Sequence, residues 1–302
     1  MGTIKMSGII ISENNLGDYD KMLTMLTPGL GKISCVAKGA RRQKSALLAS
    51  TQFLCFGEYM LYKGANTYNI NSAETIEVFY NLRTDLDKLN YAVEITKIIR
   101  DVTEENQNCY KILQLFLNTL YILSETDKNP ELIVSTFKLK LLCFLGFTPQ
   151  ITNCTNCKQT ENLQYFSLKD NGFKCEACSR QDKGCLQMSE STANAIKYII
   201  MAPPKKLYSF NLKDDALNEL KLITKLYFNE KLESCWNQYV VKELWKHSSY
   251  LFQYKFSKKS VRKFTKTNEI IEKQWYNVTA RYKLKEKEEY YGRISGHTSS
   301  NI

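Results

Sequence analysis

Lys21-Met-Leu-Thr-Met-Leu-Thr27, Pro28-Gly-Leu-Gly31 and Lys32-Ile-Ser-Cys-Val-Ala-Lys38 follow one another without a gap. The outer blocks are rich in large apolar and β-branched residues. In the second, Ile33, Cys35 and Ala37 alternate with Ser34 and Val36, the period of a pleated strand. The Pro-Gly-Leu-Gly block between them has turn chemistry. The stretch therefore reads as a β-hairpin. Working outward, Lys5–Ser12 is another β-branched run, Gln52–Tyr62 a long aromatic one ending at Lys63-Gly64-Ala65-Asn66, and Asn69–Phe79 closes the set. Five short strands separated by turn signals suggest a small barrel or sandwich, and the five-stranded OB-type barrel is the natural candidate for residues 1–79.

Beyond Phe79 the period changes to that of helices. Leu86, Leu89, Ala92, Val93, Ile95 and Ile99 form a stripe within 82–100, and 109–123 is apolar on most faces, as a central helix would be. Residues 130–145 open with Pro130 and end at Gly146, the expected order for a helix. Helices resume at 189–201 and 212–232, with Pro203-Pro204 between them. The expected fold class is α+β: an OB-type barrel, then a helical domain over 80–232.

Set into the helical part at 150–180 are Cys154-Thr-Asn-Cys157 and Cys175-Glu-Ala-Cys178, two C-x2-C pairs separated by 17 residues. That spacing matches a zinc-site template. A short ribbon fits between the pairs, turning at Asp170-Asn171-Gly172. Four thiolates would close a tetrahedral Zn2+ and leave no position for water, so the site would be structural. Unlinked turns, two disulfides or redox C-x2-C chemistry are the alternatives; a reducing compartment, expected for a chain without a secretion signal, argues against disulfides. Cys35, Cys55, Cys109, Cys143, Cys185 and Cys235 have apolar flanks and read as small core residues.

Charge and histidine narrow the function. The formal net charge is +11, and residues 240–302 contribute +8 of it, from 14 Lys+Arg against 6 Asp+Glu. The body is thus only mildly basic. Segment 233–302 interleaves cations with rings such as Tyr250, Phe252, Tyr254 and Phe256; it reads either as a disordered extension or as a single-strand-binding arm. The two histidines, His247 and His297, both fall there. The body has none for a Ser-His-Asp or Cys-His mechanism, while carboxylate- or lysine-based chemistry stays open. Apolar runs are far shorter than the ~20 residues that span a bilayer, and the N-terminus is too polar for a signal peptide. Gly2 has the form of a myristoylation start, but Lys5 and the strand behind it weigh against that. No membrane association and a cytoplasmic location are expected.

Within the body, charge concentrates in Gly31–Ser45, where Lys32, Lys38, Arg41, Arg42 and Lys44 fall within thirteen residues and no acid intervenes. A Gly-containing basic loop at a barrel rim suits phosphate binding; the bland alternative is a solvated loop. The spacing of a nucleotide P-loop is absent. Phe53, Phe56 and Tyr59 are candidates to stack bases, or else belong to the barrel core.

Three stretches in this order resemble the bacterial DNA repair family RecO: Ser7–Asp20 with its Gly17-Asp-Tyr-Asp20, Gly31–Ser45 with its Ala-Lys-Gly-Ala-Arg-Arg run, and Lys138–Pro149 leading to Cys154-x2-Cys157. The resemblance covers about residues 1–235. It implies an OB fold followed by a helical domain with a zinc ribbon. It also implies binding of single- and double-stranded DNA, strand annealing, and loading of the recombinase RecA together with RecR and the single-strand-binding protein. By the same resemblance Lys38, Arg41, Arg42 and Lys44, with Lys32, are DNA-contacting cations, and Cys154, Cys157, Cys175 and Cys178 hold zinc. Segment 240–302 departs from the family pattern. A protein–protein adaptor, using helices 109–123 and 132–145 as a groove, is the alternative function.

Overall fold

The computed structural model describes residues 2–65 and 67–232. Segment 233–302, with its rings, both histidines and Cys235, lies outside the described residues.

Five strands form the N-terminal part: β1 (Thr3–Leu16), β2 (Asp20–Thr27), β3 (Gly31–Ala37), β4 (Phe56–Lys63) and β5 (Tyr68–Glu77). They close into a barrel in the order β1-β2-β3-β5-β4. β1 is long enough to serve two neighbours. Thr3–Ile9 pairs antiparallel with β4, and Ile9–Leu16 pairs with β2. β3 and β5 meet in parallel, Cys35 opposite Tyr68 and Val36 opposite Asn69. This is the OB-type barrel expected from sequence.

The run Ile9-Ile10-Ile11 is fully buried because β1 has a covered face on each side. Ile10 packs inside the barrel with Leu23, Met25, Ile33, Cys35, Tyr59 and Leu61. Ile9 and Ile11 face outward into the helical core beside Leu54, Phe79 and Phe116. A strand start and a helix differ from expectation. Gln52–Cys55 is a turn, with Leu54 at φ 62, and its apolar side chains leave the barrel for the helical core. What reads as a single helix from 82 is two, α1 (Tyr80–Thr84) and α2 (Leu86–Val102), separated by Asp85, whose carboxylate caps the backbone N–H groups of Asp87 and Lys88.

The helical part continues with α3 (Tyr110–Glu125) and α4 (Pro130–Phe144). The central helix is α4, not α3. Ten of its 15 residues are buried against eight of 16 in α3. One of them is Lys140, whose ammonium donates to the carbonyls of Ile199 (3.1 Å), Ile200 (2.8 Å) and Ala202 (3.0 Å). A buried cation thus satisfies the last carbonyls of α5 (Glu190–Met201). The last helix among the described residues, α6, spans 214–232. The apolar faces expected to form an adaptor groove are core.

The barrel joins the helices through the turn between β2 and β3. Lys32 N–H donates to Glu104 O (3.0 Å), Asn106 N–H to Leu30 O (2.8 Å), and Cys109 N–H to Pro28 O (2.9 Å). Gly31 sits there at φ 67, and a Cβ on it would lie 2.0 Å from the carbonyl oxygen of Glu104. Only glycine satisfies both the left-handed backbone and the close approach.

Candidate nucleic-acid interface and metal centre

The barrel has two poles, and the basic segment touches both. Lys32 stands at the helical-domain pole, near the start of β3. Its ammonium donates to Arg100 O at 2.6 Å, at the C-terminal end of α2. Lys38 follows the other end of β3, about 20 Å away at strand rise. The five cations therefore do not form one cluster.

At the far pole, Ala37 pairs with Lys21 beside the β1–β2 turn, and Tyr68 pairs with Cys35 just after the β4–β5 turn. Both turns and the start of segment 38–55 emerge together. Lys38, Arg41, Arg42 and Lys44 are all exposed there. None of them is ion-paired among the described residues.

The basic loop is anchored. Arg42 N–H donates to Gly39 O, Ser45 N–H to Arg42 O, and Leu48 N–H to Ser45 O, a run of successive turns. Ala40 and Leu47 are buried in the barrel interior. Gly39 N–H donates to Asp20 Oδ1 at 2.7 Å, and Gly39 itself is at φ 65. Arg41 holds the β1–β2 turn: its Nη1 donates to Gly17 O (3.1 Å) and Asp18 O (3.0 Å), and its backbone N–H donates to Tyr19 O (2.9 Å). A guanidinium has five donors, so Arg41 retains capacity for an anion. The Arg42 guanidinium lies over the Tyr19 ring, 5.2 Å from its centroid.

Sequence reading missed Tyr19, the last residue of the β1–β2 turn and distant in sequence from the basic run. It missed Lys63 as well, exposed at the end of β4 with its ammonium 6.0 Å from the Tyr68 ring. An aromatic residue where a turn favours Gly, Asn, Asp or Ser was the available signal for Tyr19. Asp18 and Asp20 stand beside the cations, and Lys21 at the same pole is paired with Glu13, so Lys38, Arg41, Arg42, Lys44 and Lys63 face only those two further carboxylates. Of the rings expected to stack bases, Tyr59 is fully buried, its hydroxyl donating to Ser50 O (2.8 Å). Phe53 and Phe56 pack against the helical core. All three are structural.

The four cysteines converge. The sulfurs of Cys154, Cys157, Cys175 and Cys178 all lie within 4.8 Å of one another, and those of Cys157 and Cys175 are 3.6 Å apart. A tetrahedral ion with metal–sulfur bonds of about 2.3 Å sets its sulfurs about 3.8 Å apart, so the donor set fits. None of the four is in a disulfide. Burial opposes ionisation of Cys154, but backbone N–H groups of Cys175, Cys157 and Asn156 outweigh it and bring the thiol down to about 6. Burial pushes Cys178 up to about 11. Crowded thiolates repel one another, and a cation removes the conflict.

The ribbon around them has three strands: β6 (Tyr165–Ser167), β7 (Gly172–Lys174) and β8 (Cys185–Gln187), in the order β7-β6-β8. The third extends it past 180. Phe166 and Phe173 anchor it in the helical core, and Phe166 meets Tyr227 edge-on, centroids 5.2 Å apart. Cys185 and Cys143 are half-buried rather than core residues.

The family profile described as Recombination protein O N terminal matches residues 1–79, and that described as Recombination protein O C terminal matches 83–238. The DNA repair protein RecO of Acetivibrio thermocellus is 44% identical over 234 residues, 77% of this chain and 93% of the relative. The chain belongs to the RecO family. Its RecO relatives from Alkaliphilus metalliredigens and Thermoanaerobacter sp. are 34% and 33% identical, over 80% and 77% of this chain and 94% of each relative. The RecO profiles leave residues 239–302 unmatched. Both the basic pole and the four-cysteine centre fall within the RecO match. Among the described residues no helix is long and apolar enough to cross a membrane.

Proposed function

We propose that this RecO-family protein is a DNA-binding recombination mediator and not an enzyme. It holds backbone phosphates of single- and double-stranded DNA with Lys38, Arg41, Arg42 and Lys44, anneals complementary strands, and works with RecR on DNA coated by the single-strand-binding protein to load RecA, in the bacterial cytoplasm at the nucleoid. Residues 1–79 are the DNA-binding domain and 80–232 the helical domain that carries the ribbon. The observation that supports this is the anchored set of unpaired cations at the barrel pole where the β1–β2 and β4–β5 turns emerge, the loops through which OB folds take oligonucleotides. Cations held by turns lose little freedom on binding. A basic surface that receives two strands lowers their mutual repulsion, which favours annealing.

Cys154, Cys157, Cys175 and Cys178 would hold one structural Zn2+ per chain. The ion would tie β7 to the loop before the ribbon and, with four thiolate ligands, would supply no catalytic position. The test of the mediator reading is annealing itself. Purified protein is expected to speed the pairing of complementary oligonucleotides without ATP, and Arg41→Ala with Arg42→Ala to remove most of that gain. Unchanged annealing by the double variant would contradict the assignment of the site.

A further inference from the structure

Tyr19 is an unusual residue for the three-residue turn between β1 and β2, and it is 54% exposed. Turn tips favour small polar residues and glycine, which meet the backbone demands at no cost. A large ring left in water there gives up the hydrophobic gain that burial would bring. The turn nonetheless presents it on a firm base. Arg41 clamps the carbonyls of Gly17 and Asp18 and bonds through its backbone to Tyr19 O. Asp20, the next residue, accepts Gly39 N–H. The Arg42 guanidinium covers the ring at 5.2 Å from the centroid, within cation–π range.

We propose that Tyr19 is the specificity-determining residue of this surface, a stacking platform for an unpaired base, so that the barrel pole distinguishes single-stranded from duplex nucleic acid. The assignment rests on the proposed DNA site at the same pole and deepens it. The chemistry divides between the two neighbours. Arg42 and the other cations meet phosphates, which both forms of DNA carry. The ring of Tyr19 meets the face of a base, which a duplex keeps inside its stack. Base–ring stacking tolerates any sequence, because every base has a π-face. The ring thus adds affinity for single strands without adding sequence preference, and it adds nothing for duplex. The Arg42 contact keeps the ring polarised and its orientation fixed while the guanidinium remains beside the strand's phosphates.

The test uses the full-length chain and three fluorescent probes of equal phosphate count: a dT oligonucleotide, an abasic oligonucleotide and a duplex. Tyr19→Ala is expected to weaken dT binding at least about fivefold, the low end for loss of one base–ring stack. It is expected to leave abasic and duplex binding unchanged. Tyr19→Phe is expected to restore dT binding, because it keeps the ring. The variant's melting temperature, compared with that of the parent, checks that the turn is intact. Arg42→Ala is expected to weaken all three probes. If Arg42→Ala weakens all three but Tyr19→Ala changes none, or changes all three equally, the platform is overturned while the phosphate site stands. If Arg42→Ala changes none, the proposed DNA site itself fails.

Discussion

The ammonium of Lys32 donates to the main-chain oxygen of Arg100 at 2.6 Å. One cation of the basic run is therefore spent on the joint between barrel and helices. It meets the negative end of α2, where a cation is favourable. Lys32→Ala is expected to cost about 1 kcal/mol in chemical denaturation and to leave the salt dependence of DNA binding unchanged. A loss of DNA affinity with unchanged stability would return Lys32 to the binding surface.

Gly31 makes the same joint possible. Gly31→Ala places a methyl 2.0 Å from Glu104 O at a left-handed backbone position. The strained conformation alone costs about 1–3 kcal/mol, and the clash adds to it. The melting temperature should fall sharply, with barrel and helices parting. A variant that melts with the parent would show that the β2–β3 turn is not held as described.

The ribbon's ion-pair centre predicts a pH dependence. Lys174 is buried, and Asp182 accepts from it at 2.8 Å and from Ser167 Oγ at 2.6 Å. The hydrogen bonds from Lys174, Ser167 and the Gly184 N–H hold the Asp182 carboxyl well below its ordinary value of 3.8. A depressed carboxylate contributes stability that is fully present above the unfolded value and lost as pH falls below it toward the folded one. Unfolding monitored from pH 6 to pH 3 should show the parent losing stability at the acid end. Asp182→Asn should be less stable at pH 6, by about 1.5–3 kcal/mol, and flatter with pH. Parallel curves for the two proteins would contradict this.

The four-cysteine centre predicts one tightly held Zn2+ per chain. Cys154→Ser is expected to abolish it, and a chelator to release near-UV signal from the ribbon rings Phe166 and Phe173. DNA affinity should persist in a chelated but soluble sample, because the basic pole belongs to the barrel. Elemental analysis with a metal-free native protein, unchanged by added Zn2+, would refute the centre.

The barrel was legible from alternation in residues 21–38, and the cysteine centre from spacing, because both signals are local. The misread parts depend on distant partners. Gln52–Cys55 has strand composition, yet Leu54 turns to φ 62 because the helical core, built from residues distant in sequence such as Ile9, Phe79 and Phe116, takes its side chain. β8 has only three residues and pairs with β6 across the second cysteine knuckle, so it left no periodic trace. Lys32 and Lys38 look equivalent in a basic run, but a strand separates them onto opposite poles. Tyr19 joins the candidate site through Arg41 and Arg42, 22 and 23 positions later, a link made by the β2–β3 pairing that sets Lys21 opposite Ala37.

The central claim is that the barrel pole binds DNA without need of the basic C-terminal segment. Fluorescence anisotropy of labelled single-stranded DNA over a salt series tests it most directly, with three forms: the full chain, a chain ending at Gln238, and that shorter chain with Arg41→Ala and Arg42→Ala. The account predicts that the shorter chain binds and that the double substitution flattens the slope of log affinity against log salt by about 1.4, two phosphate contacts on a single strand. Binding that disappears on shortening, before any substitution, would contradict it.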